Sequence, residues 1–148
     1  MSPQRYTVLV TDRVSESGLA SLHADDRFEV LKVDDSSDPS FMDALPGAHG
    51  LIVRSATKVR EDVLDAGTNL RVIGRAGVGV DNIDLAAATE RGIAVMNAPA
   101  GNTVSAAELT LALILAMVRR VPAADASVRS GDWARSQFKG VELRGRTL

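Results

Sequence analysis

The 148-residue chain predicts an α/β fold built on a doubly wound, mostly parallel sheet of about five strands. Short apolar runs at residues 6–10, 28–33, 50–53, 70–73 and 93–96 alternate with segments of helical periodicity, the rhythm of successive βα units. Aromatic residues make up only 3% of the chain, so its core must be assembled from Val, Leu, Ile and Ala. That palette suits parallel strands covered by helices on both faces. After Pro99 the rhythm stops and a long apolar helical run takes over. The expected layout is flavodoxin-like, followed by a long interdomain helix and a helical arm, with a domain over 1–99 and the remainder over 100–148.

Each element has a local reason. The strand at 6–10 leads to a helix over 15–23, with Ser15 as its cap. The strand at 28–33 is followed by Asp38-Pro39, an acceptor cap and a proline at the first helical position, opening a helix over 39–45. The strand at 50–53 precedes a helix over 60–66 that Gly67 closes. The strand at 70–73 precedes a helix over 83–91, which Asn82 caps and Gly92 ends. Beyond the strand at 93–96, Ser105-x-x-Glu108 reads as a capping box for a helix continuing through Leu115 to Arg120. Residues 104–118 are apolar enough to predict burial on nearly all sides. Pro122 interrupts that run, a second helix spans 122–130, and the polar stretch 131–135 carries the only tryptophan. Residues 143–148 read as a turn and the start of another strand.

Composition excludes several classes of function. A net charge of −2 offers no general attraction to nucleic acid or to an anionic membrane. Without cysteine there is no disulfide framework and no thiolate chemistry, in keeping with a cytoplasmic location. Residues 1–5 lack the apolar stretch of a signal peptide, and 104–118 contains Glu108 and is too short to cross a bilayer. Neither His23 nor His49 has a partner at triad or metal-ligand spacing, so both are expected to be structural or solvent-exposed, and no metal site is expected.

The chemistry is expected at the carboxyl ends of the strands, where open α/β sheets bind ligands. Arg54-Ser55 follows the third strand, the turn Arg75-Ala76-Gly77-Val78-Gly79 follows the fourth, and residues 97–102, Asn-Ala-Pro-Ala-Gly-Asn, follow the fifth. If these strands are neighbours, two guanidinium groups, a hydroxyl, an amide and a glycine turn converge on one crevice. Glycines at 74, 77 and 79 allow a tight turn that leaves backbone N–H groups uncovered, which suits a carboxylate or a phosphate. Each residue also has a plainer reading: Arg54 as a surface ion-pair partner, Ser55 as a turn residue, Asn102 as a helix cap, Trp133 and Arg135 as a surface loop. The turn is a poor dinucleotide loop, because Asn82 replaces the third glycine of G-x-G-x-x-G and Met96-Asn97 stands where the ribose-binding acid is expected. A phosphoacceptor receiver would share the layout and an Asp12 after the first strand, but here Arg54 stands where the acceptor aspartate should be.

At these residues the sequence resembles the D-2-hydroxyacid dehydrogenases, and most closely the branch acting on 3-phosphoglycerate. The resemblance rests on residues 53–59 (Val-Arg-Ser-Ala-Thr-Lys-Val), 74–84 (Gly-Arg-Ala-Gly-Val-Gly-Val-Asp-Asn-Ile-Asp) and 87–99. It continues through Gly101-Asn102, Ser105-Ala-Ala-Glu108 and the spaced set from Trp133 to Leu148. It implies an NAD-dependent enzyme in which the Gly77 and Gly79 amides hold the substrate carboxylate with help from Asn102 and Ser55. Arg54 and Arg75 would contact its phosphate or carboxylate end, Val78 would also touch the nicotinamide side of the cofactor, and Arg135 would reach into a neighbouring subunit of a homodimer or homotetramer. The family's main NAD loop and its catalytic arginine, glutamate and histidine are expected beyond residue 148, leaving this chain without catalytic residues and inactive alone. The alternatives are a dehydrogenase of another D-2-hydroxy acid and a stand-alone anion-binding module.

Overall fold

The computed structural model describes residues 5–147. The chain divides into two compact units between Gly101 and Asn102. The first unit is an α/β fold with five parallel strands: β1 (Tyr6–Val10), β2 (Phe28–Lys32), β3 (Gly50–Val53), β4 (Val72–Arg75) and β5 (Ala94–Asn97), in the order β2-β1-β3-β4-β5. Four helices connect them: α1 (Glu16–His23), α2 (Pro39–Ala44), α3 (Glu61–Ala66) and α4 (Leu85–Glu90). The fourth strand runs two residues further than the apolar pattern predicts, because Gly74 and Arg75 pair with Ile52 and Val53 on one side and with Met96 and Asn97 on the other. Arg75 thus sits within the sheet's last rung.

Two caps match the sequence reading. The Ser15 hydroxyl accepts from the Gly18 N–H at 3.3 Å and the Asp38 carboxylate from Ser40 at 2.9 Å. Gly67 and Gly92 follow α3 and α4 as expected, Gly92 in the left-handed conformation with φ of +68°. Asn82 is a correction. The cap of α4 is Asp84, whose carboxylate accepts from the Ala87 N–H at 3.0 Å, while Asn82 is buried two residues earlier.

Strand alternation divides the core. Leu9, Leu51, Val53 and Ile73 pack on one face against Phe41 of α2, Val63 and Leu64 of α3, and Ala87 and Ala88 of α4. Phe41 is 1% exposed, and burying a side chain of that kind stabilises the fold by roughly 1.5–3 kcal/mol. The other face is covered by α1, where Leu19 meets Val8, Val10 and Ile52.

The second unit contains α5 (Thr103–Val118), α6 (Val121–Arg129) and a 3₁₀ turn, Arg135–Phe138. The capping box is not formed: Ser105 lies inside α5, whose cap position is Asn102 with no side-chain cap bond. Burial on nearly all sides is likewise not found. No residue of α5 is buried in this chain, and Val104, Leu109, Leu111, Leu113, Leu115 and Met117 are all exposed. No helix among the described residues is long and apolar enough to cross a membrane. The arm folds back within its unit through Arg120, whose guanidinium donates to the Gln137 carbonyl at 2.8 Å and lies over the Phe138 ring. The expected turn near 143–146 closes with Arg146 N–H donating to Leu143 at 2.9 Å, but no strand follows among the described residues, and Leu148 lies outside them.

Gly140 has a steric reason. A Cβ there would stand 2.7 Å from the Arg119 Cα and closer still to the Val118 carbonyl oxygen, both backbone atoms that cannot turn aside. Gly140→Ala is expected to push the segment off the end of α5 and to cost about 1–3 kcal/mol. Accelerated hydrogen exchange at the Val141 N–H, which donates to Val118 at 2.9 Å, reads that outcome.

Candidate functional site

The strand order places the reversal of chain direction across the sheet between β1 and β3, the position where such sheets take ligands at their carboxyl ends. Arg13 follows β1 and Arg54 follows β3, so both guanidinium-bearing residues flank that point. A cavity of about 650 Å³ opens there beside α1. Its floor includes Ile52, Gly74 and Met96, and its rim carries Arg13, Arg54, Arg75 and Asn97. No acidic residue lines it. Neither Arg54 nor Arg75 has a carboxylate partner among the described residues, so the plainer reading of Arg54 as an ion-pair partner finds no support.

Arg75 is held in an unusual way. Its side chain folds over the next turn so that its Cζ would stand 2.7 Å from a Cβ on Gly77, and its Nε is buried without a hydrogen-bond partner among the described residues. A buried unpaired donor is a standing demand for an acceptor, which an anion bound in the cavity can meet. Neither Gly77 nor Gly74 nor Gly79 adopts a positive φ, and a Cβ on Gly77 would meet the Arg75 guanidinium, the movable end of that side chain.

The turn itself is partly committed. The Gly77 N–H donates to the Arg75 carbonyl at 2.8 Å and is engaged within the turn. The N–H groups of Val78 and Gly79 have no acceptor among the described residues. Val78 is 38% exposed. The Asp81 carboxylate comes within 3.1 Å of where a Gly79 Cβ would stand, so attraction for an anion must come from the arginines rather than from the turn alone. The turn also fails as a dinucleotide cradle. Asn82 fills the third glycine position with a locked side chain, and the next helix begins only at Leu85 and is six residues long.

Three side chains hold the loop after β3. Asp12, in the left-handed conformation at φ of +64°, accepts from the Arg54 N–H at 2.7 Å, the Thr57 N–H at 3.3 Å and the Thr57 hydroxyl at 2.9 Å. Its carboxylate is thus spent on structure. Asn82 donates to the carbonyls of Arg54 and Thr57, each at 2.7 Å. The Arg54 guanidinium in turn donates to the Arg13 carbonyl at 3.1 Å. Ser55 does not line the arginine cavity. It borders a separate depression of about 310 Å³ with Asp34 and Asp35, where the Ser37 amide holds the Asp35 carboxyl below its usual range and so keeps it charged. Arg13 and Arg54 line the same depression.

The two histidines lie elsewhere. His49 precedes β3 at the amino edge of the sheet, where its Nδ1 accepts from the Thr7 N–H at 3.2 Å and Tyr6 packs edge-on against it. His23 ends α1 beside Glu16. Asn102 and Arg135 belong to the second unit. Asn102 starts α5, and Arg135 lines a cavity of about 360 Å³ with Trp133, Val128 and Phe138, Trp133 being largely exposed.

Nothing in the local sequence pattern marks Arg13 as part of the cavity, or Asp12 and Asn82 as its braces. The fold is an α/β domain whose five parallel strands end beside an arginine-lined, acid-free cavity. The chain belongs to the D-isomer specific 2-hydroxyacid dehydrogenases, matching the catalytic domain of that family over residues 8–143. It is 48% identical over 140 residues to a D-3-phosphoglycerate dehydrogenase of Archaeoglobus fulgidus, covering 95% of this chain and 26% of that protein. Among solved structures, the TT0316 protein of Thermus thermophilus superimposes with a TM-score of 0.80 at 35% identity, over 93% of this chain and 45% of that one. The NAD+-bound 3-phosphoglycerate dehydrogenase of Entamoeba histolytica follows at 0.68 and 29%, over 78% and 40%. The chain thus spans about a quarter of the length of the curated relatives it matches.

Proposed function

We propose that this chain is the substrate-binding portion of an NAD-dependent D-3-phosphoglycerate dehydrogenase, a cytoplasmic enzyme that oxidises 3-phosphoglycerate to 3-phosphohydroxypyruvate at the opening of L-serine biosynthesis. The observation that carries the reading is the acid-free cavity at the strand ends, where Arg54 and Arg75 stand without carboxylate partners and the Arg75 Nε lacks an acceptor. Two guanidinium forks suit a phosphate, which accepts paired N–H bonds, and the open amides of Val78 and Gly79 on the same turn suit the substrate carboxylate. Gly77 shapes that turn, and Val78 faces the nicotinamide side. Ser55, Asn102 and Arg135 keep the roles that the family resemblance implies, Arg135 from a neighbouring subunit. The exposed leucines of α5 support association into a homodimer or homotetramer.

NAD supplies the hydride acceptor, and its main hold lies outside the glycine turn described above. Oxidation of a hydroxy acid also needs a group to take the hydroxyl proton. His49 lies at the amino edge of the sheet and His23 at the far end of α1, so neither stands where the substrate would bind. The isolated chain is therefore expected to bind without catalysing. Calorimetry with 3-phosphoglycerate should give saturable binding at least tenfold tighter than with glycerate, and a mixture with NAD should form no NADH. Equal affinity for the two acids would turn the reading to another D-2-hydroxy acid. NADH formation would overturn the division of labour, and absence of binding to either acid would leave a non-catalytic module.

A further inference from the structure

We infer that Asn97 is a positioning residue that aims the carboxylate-binding amides of the turn, an inference that rests on the function proposed above. The end of β5 grips the turn at two successive peptide groups. The Ala98 N–H donates to the Gly77 carbonyl at 2.9 Å, and the Asn97 side-chain amide donates to the Val78 carbonyl at 2.6 Å. None of the peptide bonds described is cis. In a trans peptide the N–H points opposite to the carbonyl of the same unit. Holding the Gly77 carbonyl therefore sets the direction of the Val78 N–H, and holding the Val78 carbonyl sets that of the Gly79 N–H. Both donors are turned away from the strand end that grips their carbonyls. The first grip is backbone and independent of sequence, whereas the second exists only because residue 97 carries a donor of the right reach. Asn97 also pairs in register with Arg75 and lines the arginine cavity, so one residue joins the turn to the strand that carries Arg75. The bond is solvent-exposed, and exposed hydrogen bonds of this kind add little to global stability. Its consequence falls on binding geometry.

The test uses the chain itself with 3-phosphoglycerate as the probe. Asn97→Ala is expected to bind it about five- to tenfold more weakly with an unchanged thermal midpoint, and the probe-induced amide shifts of Val78 and Gly79 in nitrogen-15 spectra should collapse. Asn97→Gln, which keeps an amide donor on a longer arm, should recover part of the affinity, and Asn97→Asp, isosteric but without a donor, should recover none. Wild-type affinity in N97A would overturn the assignment while leaving the proposed function standing. A loss of affinity matched by a lower thermal midpoint, with no recovery in the glutamine variant, would reduce Asn97 to a stabilising contact. If the wild-type chain does not bind the probe, the proposed function fails and the assignment fails with it.

Discussion

Asn82→Ala is expected to destabilise the first unit by about 2–4 kcal/mol, read as a lower urea midpoint with an unchanged slope. Asn82 is 1% exposed, and its amide is the donor to both the Arg54 and the Thr57 carbonyls. Truncation strands two acceptors, the Thr57 carbonyl buried and the Arg54 carbonyl partly so, and a stranded buried group costs about 1–3 kcal/mol. The native residue is itself imperfectly served, since its Oδ1 has no partner, which keeps the expected loss below the sum of two full penalties. Asn82→Asp is expected to be worse at neutral pH, because it presents a carboxylate to two carbonyl oxygens. The damage should also reach the site. Arg54 rides on the loop that Asn82 and Asp12 both hold at Arg54 and Thr57, so the alanine variant should lose affinity for 3-phosphoglycerate at temperatures where it is still folded.

The contrast between Asn82 and Arg75 indicates what a sequence can disclose. The strands were legible because burial on two faces imposes continuous apolar runs, and Ser15, Asp38, Gly67 and Gly92 were legible because capping is decided within a few residues. Strand ends were less so: β4 extends through Gly74 and Arg75, polar or featureless in a periodicity count, because its neighbours on both sides supply partners. By position Asn82 reads as a cap, since a polar residue before a helix usually is one. Its actual work joins residues 25 and 28 positions away, a separation that no local pattern encodes. Asp12 escaped for the same reason, although an aspartate after a strand is among the few residues that tolerate a left-handed backbone. The convergence of Arg54 and Arg75 was legible conditionally, given adjacent strands, and the β3-β4-β5 order meets that condition. The apolar run 104–118 marks a limit of another kind: its pattern requires cover, and nothing in the pattern says which surface provides it.

Arg75→Ala is expected to weaken 3-phosphoglycerate binding roughly 10- to 150-fold, the range spanned by hydrogen bonds to charged groups, and to leave thermal stability unchanged or slightly raised. The two halves of that result come from the same atom. The Arg75 Nε is buried with no acceptor among the described residues, so removing it relieves a cost rather than breaking a bond. In the complex that donor gains an acceptor, so removing it takes away attraction present only when the anion is bound. Arg75→Lys should fall close to the alanine variant, because an ammonium cannot present two parallel donors to a phosphate and its bulk still has to lie over Gly77. Arg54→Ala should lose less, since Arg54 is exposed and its Nη1 already donates to the Arg13 carbonyl. Parallel calorimetry and thermal melts on the three variants separate the cases. A fall in stability with affinity preserved would make Arg75 a packing residue and empty the cavity of its anion, whereas affinity lost at constant stability fixes the guanidinium as the group that waits for the ligand.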